Sequence, residues 1–202
     1  MGITSPLPKR WTTASRGSIG LRLGATGAVV WLVRKATLRE TVARLTFMEI
    51  KNAQGDIIFE CDGDFRKVDF DDVDLSGAVL ENANLEGVIW CGTNLSRANL
   101  KSADFYWAVL FTSNLSYANL EEAEFQGADL KEVNFQGANL IKANFGRDNL
   151  GGSTQLQGAN LSHAQTKGAN FVGAEYDTHT VFPELFDPEK EGMSFRPLSV
   201  SQ

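Results

Sequence analysis

Residues 61–150 read CDGDF RKVDF DDVDL SGAVL ENANL EGVIW CGTNL SRANL KSADF YWAVL FTSNL SYANL EEAEF QGADL KEVNF QGANL IKANF GRDNL, and every fifth residue from Phe65 to Leu150 is Phe, Leu or Trp. An α-helix turns about 100° per residue, so residues five apart are rotated by about 140° and never line one stripe. A strand has a period of two and would send alternate members of the series to opposite faces. Neither element buries this series on one side. A chain that bends inward once per pentad does, and repeated bending winds it into a coil. One pentad buries too little apolar surface to offset the entropy of ordering it, whereas stacked coils share a continuous core. The period therefore predicts an all-β solenoid.

The neighbouring positions agree. Two residues before each large apolar centre stands a small or β-branched residue, as at Ala98, Ala103, Ala118, Val73 and Val133. Between the two stands mostly Asp or Asn, as at Asp74, Asn94, Asn99 and Asn119. Small-in, polar-out, large-in is local β alternation, and the two remaining residues turn a corner. Gly77, Gly87, Gly92, Gly127 and Gly137 at the second corner position suit such a turn.

The A(D/N)Lxx pattern, present here as ANLKS, ADLKE and ANLIK, resembles the signature of the pentapeptide-repeat family over about Cys61 to Tyr176. The resemblance implies a right-handed quadrilateral β-helix with four pentads per coil; the period alone also allows three sides. With four sides, residues twenty apart stack at about 4.8 Å. Phe65, Leu85, Phe105, Phe125 and Phe145 then share one inner column, and Leu80, Leu100, Leu120 and Leu140 another. The outward Asn residues are expected to form amide ladders. One slip breaks the register: Leu150 to Leu156 is six residues, through Gly151-Gly152-Ser153, and reads as a bulge.

A solenoid needs both ends covered. Thr37-Leu38-Arg39-Glu40 has the form of a capping box, and Leu38, Val42 and Leu45 follow at helical spacing. The expected organisation is a basic leader over 1–36, a short capping helix and edge strand over 37–60 and the β-helix over 61–176. A C-terminal cap and tail then occupy 177–202. The helix is expected from Thr37 to about Asn52, with Asp56 to Cys61 as the edge segment. The tail AEYDTHTVFPELFDPEKEGM resembles that of cyanobacterial members, with Val181, Phe182, Leu185 and Phe186 expected to close the end.

Charge is uneven. Residues 1–39 hold seven basic residues and no acid, so against a net charge of −6 the remainder carries −13. That pattern fits a cytoplasmic chain with a basic start. The alternatives are peripheral membrane contact through residues 1–39, or targeting to an organelle lumen. Cys61 and Cys91 are expected on opposite sides of the prism, which disfavours a disulfide.

Motifs for chemistry are missing. His163 and His179 have no metal-ligand spacing, and no phosphate loop, GxSxG or HExxH occurs. No enzymatic role, cofactor or metal is expected. Ile89 and Val109 replace polar residues at outward positions twenty apart. Tyr106, Trp107, Phe111 and Tyr117 occupy outward corner positions, and together these six form the candidate partner-binding surface, the alternative being that the leader helix or the Trp11–Trp31 segment folds back and covers the apolar patch. The leading expectation is a non-catalytic interaction or scaffold protein that binds a protein partner. A second is DNA mimicry, since some family members bind type II topoisomerases; its candidate surface is Asp64, Asp69, Asp71, Asp72, Asp74 and Glu81. A third is a membrane-associated regulatory protein. Direct nucleic-acid binding is disfavoured by the net charge.

Overall fold

The computed structural model describes residues 47–62 and 70–197. Parallel backbone bridges join Asp74 to Asn94, Val79 to Asn99, Asn84 to Asp104 and Ile89 to Val109, each pair twenty residues apart. Four pentads therefore close each coil, and the prism is four-sided. Along one side the amides alternate direction: Asn99 N–H donates to Ala78 O in the coil before, and Leu100 N–H donates to Asn119 O in the coil after, both at 2.8 Å. At each corner the chain makes a β-turn, as where Ala103 N–H donates to Leu100 O at 3.0 Å. Its third residue needs positive φ, and Ser102 duly sits at φ 53°.

The centres and the small residues before them fill the tube. Leu100, Leu120 and Leu140 are fully buried. Phe105, Phe125 and Phe145 stack with ring centroids 5.1 and 4.9 Å apart, and Phe171 extends the stack at 4.8 Å. Trp90 is accommodated inside without a break in the ladder, 4.9 Å from Phe70. Outside, the side-chain amide of Asn119 donates to Asn99 at 3.1 Å and that of Asn139 to Asn119 at 3.0 Å. Each Oδ1 also accepts the amide two residues on, as Ser116 N–H does to Asn114 at 3.1 Å.

Two expectations need correction. Residues 47–51 are not the end of a helix: β1 (Phe47–Lys51) pairs antiparallel with β2 (Ile57–Asp62) across a turn held by Asn52. The open edge of the first coil is a row of backbone donors and acceptors, which a strand satisfies and a helix, its amides used internally, does not. Lys51 O accepts Val79 N–H at 2.8 Å, while Ile50 and Phe59 are buried and Phe59 lies 4.6 Å from Phe70. The rest of the expected helix, residues 37–46, lies outside the described residues, as do the whole of the leader over 1–36 and Phe65.

Leu150 is also not a core centre; it is 79% exposed. The bridges above it run Asp129 to Gln155 and Asn144 to Asn170, twenty-six apart. The interruption is therefore a six-residue insert after Phe145, and Leu156 takes the inner position. Thr154, fully buried, closes the base by donating its hydroxyl to Phe125 O and Gly146 O.

The ladder continues beyond the repeats. Val181 bridges Asn160, and β3 (Glu175–Tyr176) pairs parallel with β4 (Ser194–Phe195). Phe182 and Phe186 stack at 5.0 Å and cover the end, Phe186 meeting Phe171 edge-on at 5.2 Å. Of the other two candidates for closure, Leu185 is 97% exposed and Val181 contributes its backbone, its side chain turned outward.

Candidate functional site

The outward column of one side runs Ile89, Val109, Asp129, Gln155, Glu175 through successive bridges. Ile89 is 61% exposed and Val109 half-buried. The corner that enters this side carries Tyr106 and Trp107; the corner that leaves it carries Phe111. Trp107 and Phe111 remain exposed. Ile89, Val109, Trp107, Tyr106 and Phe111 are thus brought onto one side and its two edges.

Tyr117 is not. Ten residues beyond Trp107, it stands half a coil away at the diagonal corner, where its ring covers Gly137 and faces the Arg97 guanidinium at 5.7 Å. Val79, the third apolar residue at an outward position, is also half a coil from Ile89 and is bridged to Asn99 on the opposite side.

Trp107 has φ 56°, in the left-handed region that disfavours residues with a Cβ. Its indole lies over Gly127 in the next coil; a Cβ there would stand 2.5 Å from the Trp107 Cδ1. Across that glycine window the indole N–H donates to Asp148 Oδ2 at 2.6 Å. The Tyr106 hydroxyl donates to Asn149 Oδ1 at 2.7 Å and accepts Asn149 N–H at 3.2 Å. The two rings lie 4.9 Å apart. The inserted loop is therefore strapped to the aromatic pair two coils below it.

The strap is internally braced. Asp148 Oδ1 accepts Leu150 N–H at 2.9 Å and Gly152 N–H at 2.6 Å, and Arg147 donates to Gly151 O at 3.0 Å. The Trp107 N–H, and then the loop amides, hold the Asp148 carboxyl below its ordinary range. Sequence reading treated the six-residue slip and the aromatic pair separately. The signal that joins them was present: Gly127, between Trp107 and the insert, leaves the indole room to reach upward.

The acidic candidates do not form one face. Asp71 and Asp72 are exposed at the corner one coil before Cys91 and Gly92, Asp74 lies on the next side, and Glu81 stands at the corner diagonal to Asp71. Asp71 accepts Cys91 N–H at 3.2 Å, Asp74 accepts the Asn94 amide at 2.9 Å, and Glu81 accepts the Asn99 amide at 3.1 Å. Asp64 and Asp69 lie outside the described residues. Farther along, Lys101 pairs with Glu121 at 3.1 Å, Lys131 with Asp129 at 3.0 Å and Lys142 with Glu122 at 2.8 Å.

Among the described residues no group of His, Cys, Asp or Glu is arranged to hold a metal ion, and no helix is long and apolar enough to cross a membrane. Asp177 and His179 touch at 3.3 Å, but they form a turn. Burial of the Asp177 carboxylate opposes its charge, yet donors from Gly158, His179 and Thr180 hold its pKa below the usual value.

A family profile described as pentapeptide repeats, in eight copies, matches residues 78–116 and 110–147. Among solved structures, a pentapeptide repeat protein from Nostoc is 33% identical, over 61% of this chain and 84% of that one, with a TM-score of 0.32. A pentapeptide repeat protein of the Arabidopsis thaliana thylakoid lumen is 27% identical, over 60% and 71%, with a TM-score of 0.35. QnrB1, a plasmid-mediated fluoroquinolone resistance protein, is 20% identical, over 61% and 77%, with a TM-score of 0.27. No curated protein matches the chain. The architecture rests on the twenty-residue ladder of this chain itself. With that ladder, the profile match and a relative one-third identical over most of its length, the chain belongs to the pentapeptide-repeat family, whose members are right-handed quadrilateral β-helices and generally non-enzymatic structural or interaction proteins.

Proposed function

We propose that this protein is a non-catalytic interaction module that presents the side bearing Ile89, Val109 and Phe111, with the Tyr106–Trp107 pair at its edge, to a protein partner. The observation that carries the reading is Trp107. A large aromatic residue is held over the Gly127 window, anchored through its N–H to an inserted loop, and left 43% exposed. Pre-ordered aromatic and apolar side chains lose little entropy on binding and are frequent interface anchors.

DNA mimicry finds less support. The described acids of the first coil are spread around its circumference, and several acids farther along are paired with lysines. An absence of supercoiling inhibition by the purified protein would remove that alternative.

The test is quantitative co-purification with Ile89→Asp and Phe111→Ala, two exposed substitutions that leave the loop anchor intact. If the surface is the anchor, loss of about 2 kcal/mol should weaken partner recovery roughly thirtyfold while thermal unfolding is unchanged. Unaltered recovery with both variants would rule the surface out.

A further inference from the structure

Carboxylates surround the apolar strip. Amide-to-carbonyl bonds between coils stack one corner of its side in the order Asp72, Gly92, Thr112, Glu132, and the other corner carries Glu86 one coil before Tyr106. Asp72, Glu86 and Glu132 are all exposed. Lys131, beside Glu132, is turned onto Asp129 at 3.0 Å and does not neutralise them. Acids thus stand before, beside and after Ile89, Val109 and Phe111 along the prism.

The side offers no backbone to a partner. Val109 N–H donates to Val88 O and Val109 O accepts Trp90 N–H, both at 2.8 Å, and Leu110 N–H donates to Asp129 O at 2.9 Å. A strand laid here meets no open edge, so binding falls to side chains alone. Their spacing suits a helix. Ile89 and Val109 are bridged in successive coils, about 4.8 Å apart, and a helix rises about 5.4 Å per turn. Apolar residues at i and i+3 or i+4 of a helix laid along the prism therefore fall over successive coils. Over two turns the mismatch is only about 1 Å.

We infer that the strip recognises a basic amphipathic helix of a partner protein. Its apolar face packs on Ile89, Val109 and Phe111, and its Lys or Arg residues meet Asp72, Glu86 and Glu132. The inference rests on the reading of this side as a partner surface and adds the chemistry of the partner. Complementary charge at the rim selects basic sequences and speeds encounter, while the apolar strip supplies the contact. The net charge of −6 favours the same sign of partner at long range.

The experiment is fluorescence anisotropy with three synthetic helical peptides that share a leucine face and carry Lys, Gln or Glu along its flanks. Each is titrated with the full chain, with Asp72→Asn/Glu86→Gln/Glu132→Gln, and with Ile89→Asn/Val109→Asn. The last variant puts the residue of the neighbouring ladders at both positions, so thermal unfolding should be unchanged. The Leu/Lys peptide should bind about tenfold more tightly than the Leu/Gln peptide, and the Leu/Glu peptide should not bind. Loss of three exposed charge contacts should weaken the Leu/Lys peptide about tenfold and flatten its salt dependence. Ile89→Asn/Val109→Asn should weaken it by a similar factor. Equal binding of the Leu/Lys and Leu/Gln peptides, or binding of none of the three, overturns the proposal. Leu/Lys binding untouched by Ile89→Asn/Val109→Asn overturns it too, since the attraction is then that of an acidic rod at large. A dimer of the unmodified chain in sedimentation, lost in that variant, assigns the strip to a second copy and also overturns it. The partner reading fails by a different measurement, unaltered recovery with Ile89→Asp and Phe111→Ala, so the two failures are distinguishable.

Discussion

Trp107 stays where it is because Gly127 has no side chain. A Cβ on Gly127 would come within 2.5 Å of Cδ1 and 2.8 Å of Nε1 of the indole, on a backbone already at φ 71°. Gly127→Ala must therefore push the ring outward and break its bond to Asp148, or strain both coils. Strain and a lost hydrogen bond together should cost about 2 kcal/mol in a urea unfolding curve. Tryptophan emission should shift to the red as the indole leaves the loop. The same substitution at Gly87, where nothing lies within 4 Å of the added Cβ, carries only the backbone penalty and serves as the control. Comparable losses at the two sites would show that the indole is not packed against Gly127.

At the scale of the element, the insert after Phe145 is a closed strap organised by one carboxylate. Asp148 receives the Trp107 N–H and the Leu150 and Gly152 amides more strongly when ionised, so its pKa lies below the ordinary 3.8. A carboxyl whose folded pKa is depressed contributes fully above the unfolded value and loses that contribution as the pH falls through the folded one. The strap should therefore hold from neutral pH down through 3.8 and release only in stronger acid. Hydrogen exchange at Leu150 and Gly152 measures this directly. Asp148→Asn should abolish the acid step while leaving the coils intact, and a step that survives in the variant would assign the transition to another group.

For the whole molecule, each coil contacts only its neighbours, the loop bonded to Tyr106 and Trp107 being the exception, so stability is close to a sum of coil and interface terms and the ends are where opening begins. The hairpin guards one end through Phe59, and Phe182 with Phe186 guards the other. Phe186→Ala removes a half-buried ring from Phe171 and should cost about 2 kcal/mol, less than truncation of a fully buried ring. It also bares the end of the Phe105–Phe171 inner column, an apolar surface for association. Size-exclusion chromatography with light scattering should then show concentration-dependent oligomers. A variant that loses stability and remains monomeric would separate capping from protection against association.

The five-residue period determined the solenoid, the inner Leu and Phe columns and the outward Asn ladders, because each pentad repeats one local demand: an inward apolar centre, an outward amide, a turn. Sequence also placed Ile89 over Val109, since stacking follows from counting by twenty once four sides are granted. Four-sidedness itself came from the resemblance and was settled by the bridges, as corner angle is not written in a period. The remainder depended on contacts remote in sequence. Residues 47–51 read as helix by spacing but became strand because the first coil offered an unpaired backbone edge. Leu150 kept the period and lost the core, because Leu156 filled the inner position and Thr154 closed the insert beneath it. Asp148 and Trp107 are forty-one residues apart, and only the stacking of coils brings a carboxylate to an indole.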